Sequence, residues 1–186
     1  GTARESATLS WTKDACHLIG VAAPGFQAQR ARISLASGVS DVTPLMQVSA
    51  DGCYFSNIHL FQNFASDATN VCVELTGERT VWENCHIAGG GNATGADNAG
   101  MRSLLITGGS GLGEHYFKNC AIGLDTVSRG SAASAALGIT CGSPRNTFED
   151  CLIYAHTAGS SARLLPLATG AIARMLRFTH CVSFYS

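Results

Sequence analysis

The side chains in this chain best suited to chemistry are its eight cysteines and six histidines. Two adjacent pairs stand out, in Cys16-His17-Leu18-Ile19-Gly20 and Cys85-His86-Ile87-Ala88-Gly89. Thiolate and imidazole ligate metals, and thiols also cross-link by oxidation. Zinc sites, however, are built on closely spaced ligand pairs such as Cys-x-x-Cys, and none occurs. Acid–base work on a glycosidic bond requires two carboxylates a few ångströms apart. The thirteen Asp and Glu residues are scattered, with no Asp-Asp pair. Asp125 and Glu74 are the best isolated candidates, and each reads more readily as a turn or surface residue. No catalytic residue is assigned.

What positions these groups is a repeated phrase. Trp82-Glu83-Asn84-Cys85-His86-Ile87 returns as Phe117-Lys118-Asn119-Cys120-Ala121-Ile122 and as Phe148-Glu149-Asp150-Cys151-Leu152-Ile153. Phe178-Thr179-His180-Cys181-Val182-Ser183 is a looser copy, and Phe55-Ser56-Asn57-Ile58-His59-Leu60 has isoleucine for cysteine. Starts at 55, 82, 117, 148 and 178 lie 27, 35, 31 and 30 residues apart, a period of stacked supersecondary units. Upstream of the copies run alternating apolar segments closed by glycine: Val73–Gly77, Leu104–Gly108, Leu137–Gly142 and Leu165–Gly170. Leu45–Val48 before Gly52 is an earlier one. Period-two alternation predicts strands with one buried face.

Parity locates a bend inside the phrase. Phe117 and Cys120 would face opposite ways on a straight strand. A left-handed residue between them turns Phe117, Cys120 and Ile122 all inward. Asn57, Asn84, Asn119, Asp150 and His180 fill that slot, and these residue types tolerate positive φ best after glycine. Three short strands per coil, with no helix signal between them, predict an all-β parallel β-helix of about six coils.

One domain is expected over residues 1–186. The lack of an initiator methionine suggests a processed or partial form of a longer chain. With 46% hydrophobic and 13% charged residues and a net charge of −1, nothing points to nucleic acid. No apolar stretch reaches the ~18 residues of a membrane span.

The bend also sorts the thiols. Cys85, Cys120, Cys151 and Cys181 share one inward slot with Ile58, and Cys16 is placed there by its phrase. A slot shared with isoleucine favours a reduced, buried ladder. Disulfides and metal ligation are the alternatives. Outward, Ser56, Glu83, Lys118, Glu149 and Thr179 form a column whose alternating charges set register. The slot after the cysteine reads His17, His59, His86, Ala121, Leu152, Val182. Its histidines suit metal binding or pH sensing, but no carboxylate is placed to orient them, so a polar column beside solvent or a partner is favoured. Ala121, Leu152 and Val182 form an outward apolar stripe, which marks a covered surface. Its cover is either a loop such as Ser128–Ala136 or another subunit. The excursions Gly89–Gly95, Gly108–Gly113, Ser128–Ala136 and His156–Ala162 read as small-residue packing loops, uncharged apart from Arg129.

The copies and glycine-closed strands resemble right-handed single-stranded β-helices of the pectin-lyase-like superfamily, over residues 8–186. The segment Trp11–Pro24 running into Gln27–Ile33 resembles bacteriophage virion proteins that decorate the capsid or form spikes and fibres. That resemblance implies a structural protein of the virion, trimeric, contacting neighbours such as the major capsid protein. Arg30 and Arg32 then become candidates for salt bridges to a neighbour. No cofactor and no metal are implied. The alternatives are a carbohydrate-binding or depolymerising tailspike fragment with a host glycan as ligand, and a secreted polysaccharide lyase or hydrolase. The superfamily's enzymes imply Gly-His-Gly or Arg-x-Lys motifs, which are absent, and Trp82-Glu83-Asn84 lacks the Asp-His ending of the lyase motif.

Overall fold

The computed structural model describes every residue except 1, 23–30, 37, 40–41, 64–70, 131–133, 158–162, 169, 173 and 186, and only the backbone of Tyr185. Strands follow one another in threes. β1 (Thr2–Glu5), β2 (Leu9–Trp11) and β3 (His17–Ile19) form the first turn, and β4 (Arg32–Leu35), β5 (Met46–Val48) and β6 (Tyr54–Ser56) the second. The third is β7 (His59–Phe61), β8 (Val71–Leu75) and β9 (Val81–Glu83). The fourth begins with β10 (His86–Ala88), passes through a four-residue helix α1 (Ala93–Ala96), and ends with β11 (Arg102–Ile106) and β12 (Tyr116–Lys118). β13 (Ala121–Arg129), β14 (Ala135–Ile139) and β15 (Asn146–Glu149) complete the fifth; β16 (Leu152–Thr157), β17 (Leu176–Thr179) and β18 (Val182–Tyr185) follow.

Every strand pairs with its equivalent one turn away. The first sheet runs β1-β4-β7-β10-β13-β16-β18, the second β2-β5-β8-β11-β14, and the third β3-β6-β9-β12-β15-β17. All these pairings are parallel. The chain is therefore an all-β parallel solenoid with about five complete three-strand turns. In the sixth, the described residues of the run Leu165–Gly170 make one isolated bridge, Leu167 to Ile139, and Arg163 just before it bridges Ala135. Pro166 removes a ladder donor there, so the expected strand is not continuous.

The corner residues adopt the conformation that parity requires. Asn57, Asn84, Asn119, Asp150 and His180 have φ of 55, 54, 50, 53 and 51°. Asn119 Nδ2 donates to Asn84 Oδ1 at 2.6 Å, linking successive corners. Phe117, Cys120 and Ile122 consequently all point inward with no exposed surface. Above and below, Phe55, Trp82, Phe117, Phe148 and Phe178 stack face to face, with centroids 4.1, 6.1, 4.6 and 5.0 Å apart. Each fully buried ring contributes roughly 2–3 kcal/mol of apolar transfer free energy.

The first turn departs from the sequence-based expectation. His17 pairs with Tyr54 in the third sheet, while Arg32 takes the place beside His59. Cys16 therefore stands at another corner, exposed, and is not part of the thiol ladder. Its Cys-His phrase matches, but the Phe-x-Asn that should precede it is missing. The chain turns instead at Ala15, φ 54°.

Candidate functional site

On the outer face of the first sheet, Arg32, His59, His86, Ala121, Leu152 and Val182 stand in one column. Its lower half is a buried polar row. Arg32 Nε donates to His59 Nδ1 at 3.0 Å, and the His59 and His86 rings stack at 4.5 Å and 6°. His86 Nε2 lies 3.1 Å from the Gly123 carbonyl and 2.9 Å from the Tyr154 hydroxyl. Tyr154 spans a full turn to reach it, across a trough left by Gly123. A Cβ at Gly123 would sit 1.8 Å from the Tyr154 carbonyl oxygen, and its φ of +123° suits only glycine.

Burial keeps the two histidines of this row neutral. Because Arg32 can only donate, His59 accepts at Nδ1 and carries its proton on Nε2. That Nε2 is buried without a partner among the described residues. Desolvation, with the His86 and Arg32 charges, lowers His59 to about 3. Desolvation likewise lowers His86 to about 4. Burial and the nearby Asp125 raise the Tyr154 phenol.

The excursion carrying α1 packs against β13, and one guanidinium ties its base. Arg129, 1% exposed, donates from Nη2 to Gly89 O at 3.4 Å and Ser103 Oγ at 3.2 Å. Its Nη1 lies 3.0 Å from Met101 Sδ. Burial, helped by the Arg102 charge, pulls Arg129 down to about 10.

The expected interface residues are thereby separated. Ala121 is fully buried within the chain's own packing and Leu152 is half-buried. Val182 is 61% exposed, beside Phe184 at 50%. Arg32 is half-buried on His59 and lies over the Phe61 ring; Arg30 lies outside the described residues. Phe184 was missed by sequence reasoning, though alternation from Val182 already sends it outward.

The cysteine slot is a thiol ladder. Cys85, Cys120, Cys151 and Cys181 each contact the carbonyl two residues back, at 3.3, 3.3, 3.2 and 3.5 Å. Each also contacts a carbonyl on the preceding turn. All eight cysteines are free, and burial raises the Cys120 thiol well above its ordinary value. Among the described residues no group of three or more His, Cys, Asp or Glu could hold a metal ion. Glu74 accepts from Gln47 at 2.9 Å, and Asp125 is exposed. Inside the wall, His115 Nδ1 meets Thr80 Oγ1 at 2.8 Å, and burial lowers this histidine to about 4.

A charged corner between the second and third sheets also went unread. Arg79, Glu114 and Arg145 hold φ of 56, 59 and 52° on successive turns. Arg79 Nε donates to Glu114 Oε2 at 2.9 Å, and Arg145 Nη1 donates to Glu114 Oε1. Glu78 pairs with Arg79 at 2.5 Å. These side chains, with Ser110 and Arg174, line an open groove of about 430 Å³. The signal was available, since each charged residue stands three before the aromatic of its phrase. No family model, curated protein or solved structure matches the chain.

Proposed function

We propose that the chain is a structural module of a bacteriophage particle, a homotrimeric parallel β-solenoid that decorates the capsid or builds a spike or fibre. The observation carrying this reading is the divided outer face of the first sheet. Its middle turns are sealed by the Arg32–His59–His86–Tyr154 row, whereas Val182 and Phe184 point outward and remain exposed beside Leu152. Outward apolar groups gathered in one place fit a surface meant to be covered. The mechanical role rests on the stacked rings and corner amides, which resist bending along the axis.

Sedimentation of the purified chain tests the proposal. A trimer is expected, and Leu152→Glu or Val182→Glu should yield monomers with unchanged β-rich circular dichroism. A monomeric parent at micromolar concentration would overturn it. A second reading, a carbohydrate-binding tailspike fragment, draws support from two phenol–carboxylate pairs on the third sheet. Tyr54 donates to Glu83 at 2.7 Å and Tyr116 to Glu149 at 2.6 Å. Glycan-array binding lost in Tyr116→Ala would favour that reading.

A further inference from the structure

The charged corner follows a rule that breaks at one rung. Cross-strand columns are stabilised when opposite charges alternate and destabilised when like charges meet. Arg79, Glu114 and Arg145 obey it, and both Glu114 oxygens are engaged, one by each arginine. The next rung calls for an acid. Instead, the Ser143–Ile172 bridge brings Arg174 beside Arg145, and both line the same groove. Among the described residues, Arg174 makes no ion pair with a carboxylate. Three arginines against Glu78 and Glu114 leave the groove one positive charge, on a chain whose net charge is −1.

A second observation sets the site apart from an ordinary solvated edge. Arg79, Glu114 and Arg145 hold left-handed backbone where Gly52 serves one turn below. Positive φ is costly for long side chains, so the corner keeps charged residues where glycine or asparagine would cost less. Gly111, φ +99°, lines the same groove beside Ser110, and a Cβ there would meet nothing within 4 Å.

We infer that this groove is a docking socket for the carboxylate of an acidic segment on a partner protein, which supplies the acid missing from the ladder. Arg174 and the free edge of Arg145 grip the two oxygens, the geometry in which a guanidinium recognises a carboxylate best. The single net charge matches one carboxylate better than a doubly charged phosphate. Among the described residues, the groove's lining holds no aromatic ring on which a sugar could stack, which favours a peptide partner over a glycan. This inference is independent of the oligomer proposed above, because the groove lies at a different edge from Val182 and Phe184.

The test uses the intact chain and a capped six-residue peptide of alternating aspartate and glycine, with its asparagine twin as control. Arginine Nε–Hε resonances are followed by NMR during titration. The expected result is saturable shifts of the Arg145 and Arg174 signals with the aspartate peptide alone. Arg174→Gln should weaken binding roughly tenfold without changing the melting temperature, and raising salt should weaken it further. Equal response to both peptides, or wild-type binding by Arg174→Gln, would overturn the inference. Acetate binding as tightly as the peptide would reduce the groove to a simple anion site and also overturn it. So would concentration-dependent self-association lost in Arg174→Gln, since the occupant would then be a second copy.

Discussion

Acidification should destabilise this solenoid well before its carboxylates titrate. His59, His86 and His115 are buried and neutral, with values lowered from 6.5 to about 3, 4 and 4. In the unfolded chain each regains the ordinary value and takes up a proton as pH falls below 6.5. A group with a depressed folded value thus contributes stability that is intact above 6.5 and drains away toward pH 4. At pH 5 each histidine costs about 2 kcal/mol, so the three together cost about 6 kcal/mol relative to neutral pH. Domain stabilities are ~5–15 kcal/mol, so the loss is a large share of the total. Glu114, held low by Arg79 and Arg145, begins to matter only below 4.5, outside this window. The assay is urea unfolding followed by circular dichroism at pH 7, 6 and 5 and constant ionic strength. His115→Gln, which keeps a hydrogen-bonding side chain but cannot be protonated, should lower the pH slope by about a third. An unchanged midpoint between pH 7 and 5, or a wild-type slope in His115→Gln, would refute the reasoning.

Other substitutions probe the local geometry. Gly123→Ala drives a Cβ into the Tyr154 carbonyl at unfavourable φ, and should cost about 3 kcal/mol; a thermal melt lowered by less than about 2 °C would count against the trough. Asn119→Ala loses both a left-handed residue and the bond to Asn84. It should cost about 1–2 kcal/mol, with Asn119→Gly the milder change; the reverse order in denaturant midpoints would show that φ is not the constraint. A thiol-reactive chromophore should label exposed Cys16 at once but reach Cys72, Cys85 and Cys120 only on unfolding. Fast labelling of those three in native buffer would contradict the dry interior.

The periodicity of the phrase was sufficient to define the winding. Phe, Asn, Cys and Ile recur at fixed offsets, and parity alone demanded a left-handed corner at Asn57, Asn84, Asn119, Asp150 and His180. Those features are local, because a strand's facing and a residue's tolerance of positive φ depend on its immediate neighbours. Two errors share the opposite character. Cys16-His17 copies a phrase but lies in another sheet, because Thr2–Glu5 and Arg32–Leu35 already occupy the first. Leu165–Gly170 alternates like a strand, but its described residues hold a single isolated bridge, at Leu167. Ala121, by contrast, keeps its outward slot and is covered by the chain's own packing.

What the sequence determined by itself is the repeat, the corner and the inward file of thiols and rings, since each follows from side-chain parity within a few residues. Only the tertiary structure decided which outward groups remain exposed. Tyr154 reaches His86 across 68 positions of chain, and Arg129 ties down Gly89 across 40. Such contacts depend on how far an excursion folds back over a neighbouring turn, and no spacing along the chain encodes that distance.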